Sequence, residues 1–228
     1  ISNPYGSTRV AAMAGNVVQS TTLARIDSDI VELLAPAGAV GSATAPIRIA
    51  ASRLTARGDT GVYVEELVGD MNVVEASAGL ASGVVSLRAA GSILDAHVFT
   101  DAAVSAHDVI LVAATGAIGS TSDALDVDVG GNSLDAAASG DIVVNDVSGA
   151  MGVGTVMSTN GSVRLSTTDT DAAGEDIALA ADSSIRALSG AITLLSADDI
   201  LTAFGSVIVA RNVVTMRADD EDEYDGVA

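Results

Sequence analysis

The sequence predicts an all-β fold: a right-handed parallel β-helix (β-solenoid) with coils of about 20 residues grouped in 78–80-residue repeats. Three observations carry this. The chain repeats itself internally. Its apolar residues fall in short alternating runs. Its core is aliphatic and almost free of rings.

The repeat is the strongest of the three. The segment 38–49, GAVGSATAPIRI, returns at 116–127 as GAIGSTSDALDV, an offset of 116 − 38 = 78. Upstream, Val31 and Leu33 match Val109 and Leu111 at the same offset. Downstream, Leu54 aligns with Leu134, Val62 and Val64 with Ile142 and Val144, and Met71 with Met151, all at 80. Two extra residues in the turn around Gly130-Gly131-Asn132 account for the change. The offset returns to 78 where Val85 and Leu87 meet Val163 and Leu165.

Inside each long repeat lies a shorter beat. Segments such as 176–179, 191–194, 205–209 and 212–216 alternate apolar with small or polar residues. That period of two marks half-buried strands. Gly, Asp, Asn and Ser punctuate them. No sustained 3.6-residue period with caps is present, so helix should be scarce; residues 35–40 read as a short turn. Coils of about 20 residues would make 10 or 11 turns, roughly four to a long repeat, and a rod on the order of 50 Å long at the strand spacing of ~4.8 Å. Val62, Val64, Val85, Leu87, Ile142, Val144, Val163, Leu165, Ile177 and Leu179 should point inward. Tyr63 and Arg164 should point outward. Met71 and Met151 should fill equivalent core positions.

Apolar residues make up 49% of the 228, too many for a disordered chain. Only 2% are aromatic, so the interior must be narrow enough for small and branched aliphatics. Stacked coils, each packing only on its neighbours, meet that condition. Residues 1–24 read as a flanking segment suited to an inter-subunit contact, 25–218 as the β-helix, and 219–228 as an acidic tail. The chain opens on Ile1 with no Met or signal sequence, as a processed product or a section of a longer protein would.

Ten basic residues, all Arg, stand against 30 acids, a net charge of −20. This disfavours nucleic acid, itself a polyanion. Asp exceeds Glu by 23 to 7, which favours turns over helix. Asp-rich, Lys-free chains also suit high salt, where self-repulsion is screened. Cysteine is absent, which excludes disulfides and thiolate metal sites. No apolar run approaches the ~18 residues of a membrane span.

Several segments are similar to a known family. The elements Gly91-Ser-Ile93-Leu-Asp-Ala, Asp176-Ile-Ala-Leu-Ala and Gly116-Ala-Ile-Gly119-Ser resemble those of giant bacterial secreted proteins with filamentous-haemagglutinin-like β-helix repeats. The resemblance spans about residues 25–218 and is specific for architecture. It implies an extracellular or cell-surface protein: an adhesin, filament component or matrix protein.

Candidate sites follow from charge. Asp126, Asp128 and Asp135 flank the Gly130-Gly131 turn, and Asp169, Asp171, Glu175 and Asp176 crowd another. Calcium takes six to eight oxygens, which stacked turns can supply. Solvated turns are the competing reading, since the calcium nonapeptide is broken by Ser133. Asp219, Asp220, Glu221, Asp222 and Glu223 form a like-charged run that could meet Arg9 or Arg25 of another copy. His97 and His107 lack metal-ligand spacing and read as turn or edge residues. No Gly-x-Ser-x-Gly elbow is present. The expectation is therefore a non-enzymatic structural subunit of an extracellular filament or surface layer, joined head-to-tail through exposed β-helix ends. A stalk segment of a large adhesin, meeting a cell-surface or glycan receptor, is the alternative. A polysaccharide-processing β-helix enzyme is less favoured, because acids track the turns and no Trp platform exists.

Overall fold

In a computed structural model, residues 1–21, 23–130, 132–170 and 173–219 are described. They form a parallel β-solenoid of about 9 turns with coils of ~23 residues and no helix. At ~4.8 Å per coil the stack is about 40 Å long. The coils are longer, and therefore fewer, than the sequence punctuation predicts. Each turn spends extra residues on corners that alternate too irregularly to register as a period.

The coils stack their strands in two parallel ladders. The first runs through Gly61–Glu66, Val84–Ala89, Asp108–Ala113, Ser133–Ala138, Met151–Ser158 and Ile177–Ala187. The second runs through Ile26–Ala35, Arg53–Gly58 and Met71–Ser77. It continues through Leu125–Asp128, Ile142–Asp146, Val163–Thr167, Ile192–Leu195 and Val214–Arg217. The strand Ser2–Ala11 pairs in parallel with Ile26–Ala35, so the ladder reaches back past residue 25. Among the described residues no helix is long and apolar enough to cross a membrane.

The alternating residues do what their period demands. Val62, Val64, Val85, Leu87, Ile142, Val144, Val163, Leu165, Ile177 and Leu179 are all buried, and so are Met71 and Met151. Tyr63 is half-buried and Arg164 exposed on the outer face. Like side chains stack in columns, for example Val40–Val62–Val85–Val109–Leu134. Each buried Val, Leu or Ile is worth ~1.5–3 kcal/mol relative to exposure. Residues 35–40 divide between the end of one strand at Ala35, a turn, and the two-residue strand Ala39–Val40.

The long repeat does not span four coils. From Val62 the first ladder steps to Val85, Val109 and Leu134, three coils. Ile142, the repeat partner of Val62, comes half a coil later, on the second ladder. The other partners change ladder in the same way. Val31, Leu54 and Met71 lie on the second ladder, and Val109, Leu134 and Met151 on the first. One long repeat is three and a half coils, and its copies sit on different sides of a shared core.

Candidate functional site: acidic corners and open ladder ends

The Asp excess has a structural use. Where a coil turns, its backbone amides leave the ladder and need acceptors. Asp carboxylates supply them across neighbouring coils. Asp70 accepts from the Ser92 amide at 2.7 Å, Asp135 from Thr155 at 2.6 Å, Asp141 from Ser162 at 2.7 Å and Asp176 from Asp199 at 3.0 Å. Asp95 binds two amides, His97 at 2.7 Å and Asp126 at 3.1 Å. Burial pushes the carboxyls of Asp95 and Asp126 up from their ordinary values.

The structure distributes the candidate calcium ligands over several coils and gives most of them a named partner. Asp126 accepts from the Asn145 side chain at 3.1 Å and Asp128 from the Gly130 amide at 3.1 Å. Glu175 is buried and accepts from the Thr170 hydroxyl. Asp171 lies outside the described residues. Among the described residues no group of three or more His, Cys, Asp or Glu is arranged to hold a metal ion. A shallow polar cavity of about 160 Å³, walled by Asn145, Arg164, Ser166, Thr168 and Asp169, opens on the second ladder.

Ion pairs bind the outer face coil to coil. Arg48 meets Glu65 at 2.9 Å, and Arg57 forks onto Glu75. The Arg57 contact holds the Glu75 carboxyl below its usual range. The proposed assembly residues Arg9 and Arg25 already have partners within the chain, Glu32 at 3.3 Å and Asp27 at 3.1 Å. Asp219 donates its amide to the Asp198 carbonyl at 2.9 Å. Asp220, Glu221, Asp222 and Glu223 lie outside the described residues.

His97 is built into its turn. Its Nδ1 lies 2.7 Å from the Val74 carbonyl and its Nε2 2.8 Å from Asp101. The hydrogen bond to Asp101 raises the His97 pKa. This anchors a turn that displays Val98 and Phe99, the latter 71% exposed. Phe204 and Tyr5 are also on the surface. Among the described residues the Phe and Tyr rings thus stand outside the fully buried core, a placement that low aromatic content alone does not reveal.

Two buried acids escaped the sequence reading. Glu66 and Asp146 are 1% and 0% exposed, and each points into the interior column of its ladder. Glu66 is flanked by Ile49 and Ala89, Asp146 by Val127 and Thr167. Their signal was parity: each continues the inward alternation of its strand, Val62–Val64–Glu66 and Ile142–Val144–Asp146.

At both ends of the described stack a ladder strand pairs on one side only. Ser2–Ala11 pairs with Ile26–Ala35, and Val214–Arg217 with Ile192–Leu195. The last members of two interior columns, Val214 and Met216, are 41% and 43% exposed. The chain matches no protein family, no curated protein and no solved structure.

Proposed function

We propose that this chain is a structural module of an extracellular bacterial filament or surface layer, in which further coils stack on the open ladder ends. The observation that carries this reading is the pair of one-sided strands among the described residues, with Val214 and Met216 half-exposed on the last described coil. An unpaired strand edge is a template for another strand. A head-to-tail contact between unlike ends propagates rather than closes. The likeness to haemagglutinin-type repeats supports an extracellular setting.

The next coil can come from a second copy or from the same, longer polypeptide, which is the adhesin-stalk reading. Two measurements decide between them. Electron micrographs of the concentrated protein should show rods much longer than one chain. The mass of the native polypeptide should be near 22.5 kDa for a self-assembling subunit and many times larger for a stalk. Short, uniform particles combined with a native mass near 22.5 kDa would overturn both.

A further inference from the structure

We propose that Glu66 and Asp146 are a matched pair of buried, proton-dependent corners: enclosure in the core keeps each carboxyl neutral while the coils are closed, and its ionisation loosens them. This goes beyond a role in assembly: it gives the stack a built-in response to pH.

The two corners occupy matching places in the long repeat. Glu66 accepts from the Ala51 amide, at the corner of the preceding coil, at 2.9 Å and from the Val68 amide at 3.1 Å. Asp146 accepts from the Ser148 amide at 3.2 Å, and the Val129 amide acts on the same carboxyl, lowering its pKa. The amides correspond through the long repeat, since 51 + 78 = 129 and 68 + 80 = 148, just as 66 + 80 = 146. The two corners lie on different ladders, so the stack carries one on each. The second oxygen of Asp146, Oδ2, is enclosed and has no hydrogen-bond partner. A charge left there is far more costly than a neutral carboxyl.

The amides at each corner favour the ionised carboxyl, burial opposes it more strongly, and the surrounding charges offer no relief. On the strands packed against Glu66, Arg48, Arg53, Arg57 and Arg88 lie on the outer face, with Arg48 held by Glu65 and Arg57 by Glu75. The charge felt by Glu66 is that of Asp27, another acid. Around Asp146, the side chains of Asp126, Asp128, Asp135 and Arg164 also lie on the outer face. Met151–Ser158 carries no charged residue, and Asp128 is the charge that acts. Ionisation at either corner therefore adds a buried negative charge beside an existing one.

Burial pushes Glu66 up to about 7 and Asp146 up to about 8. Both folded values lie above those of an unfolded chain, near 4. The stability that protonation confers is full below the unfolded value and is lost as pH rises through the folded ones. The stack is tightest in mild acid and loosens from neutral to mildly alkaline pH.

The test compares the full chain with Glu66→Gln, Asp146→Asn and the double variant. Thermal midpoints are followed by circular dichroism from pH 5 to 9. The wild-type midpoint should fall across this range, and the double variant should lose much less and exceed the wild type at pH 9. His97, common to both proteins, cancels in the comparison. Infrared spectra of the wild type need no variant: a protonated-carboxyl band should persist at pH 6 and vanish by pH 9. Parallel midpoint curves, or no carboxyl band at pH 6, would overturn the proposal. If Asp146→Asn fails to fold, Glu66→Gln and the infrared band still decide it.

Discussion

Gly119 packs so closely on the strand above it that a Cβ at this position would collide with the carbonyl oxygen of Val143. Gly119 also holds φ at 63°, a left-handed conformation. Its repeat partner Gly41 does both things again, with φ at 69° and a would-be Cβ 2.6 Å from the Tyr63 oxygen. Each glycine opens a corner loop closed by an antiparallel bridge, Ser42 to Ala45 and Ser120 to Asp123.

Gly119→Ala should therefore cost at least about 2 kcal/mol, combining backbone strain with a displaced strand. Gly149→Ala is the comparison. It has φ at 72° but nothing within 4 Å of its would-be Cβ, so strain alone should cost about 1 kcal/mol. Urea unfolding of both variants checks the difference. Equal losses would show that the close approach carries no energy.

Core truncation should separate the inside of the stack from its outside. Leu111, fully buried between Leu87 and Ala136, should lose about 2–5 kcal/mol as Leu111→Ala. Arg164→Ala, on an exposed position of the second ladder, should change stability by less than about 0.5 kcal/mol. Chemical denaturation midpoints are the readout.

The carboxylates that reach across coils should matter as acceptors rather than as charges. Asp135→Asn keeps an oxygen for the Thr155 amide and should be close to neutral. Asp135→Ala leaves that amide unpaired and should cost about 1 kcal/mol. A large loss in Asp135→Asn, together with a calcium-dependent thermal midpoint in the wild type, would point instead to a metal site.

His97 should add its own pH dependence. Its pKa is raised by Asp101, above the unfolded value of about 6.5. Its contribution is fully present below the unfolded value and disappears as pH rises through the folded one. Nuclear magnetic resonance titration should place the His97 pKa above that of His97 in the Asp101→Asn variant. An unchanged value would separate the two residues functionally.

Salt should stabilise the fold. At a net charge of −20, raising ionic strength to 1 M shortens the screening length to ~3 Å and weakens self-repulsion. The thermal midpoint should rise by a few degrees in sodium chloride, and less in sucrose of equal osmolality.

Much of the architecture was legible in the sequence, because a period of two fixes which side of a strand is buried. Val62, Tyr63 and Val64 show this in three consecutive residues. The coil count was not legible. Corners differ in length: Leu54 stacks on Val73, 19 residues away, whereas Ala76 stacks on Val104, 28 away. Glu66 and Asp146 were hidden by their chemistry, since a carboxylate is read as a surface group even where the alternation turns it inward. The cross-coil pairs of Arg48 with Glu65 and Arg9 with Glu32 become visible only once the register brings distant residues together.

The half-integral repeat has a consequence for how such a molecule can lengthen. Because both sides of the core accept the same stretch of sequence, a duplicated segment need not close a whole number of turns to fit. Every copy added this way presents its decorations on the side its predecessor left bare. A rod grown by duplication thus becomes two-faced without any selection for symmetry, and a partner that grips one side would meet an equivalent handhold on the other.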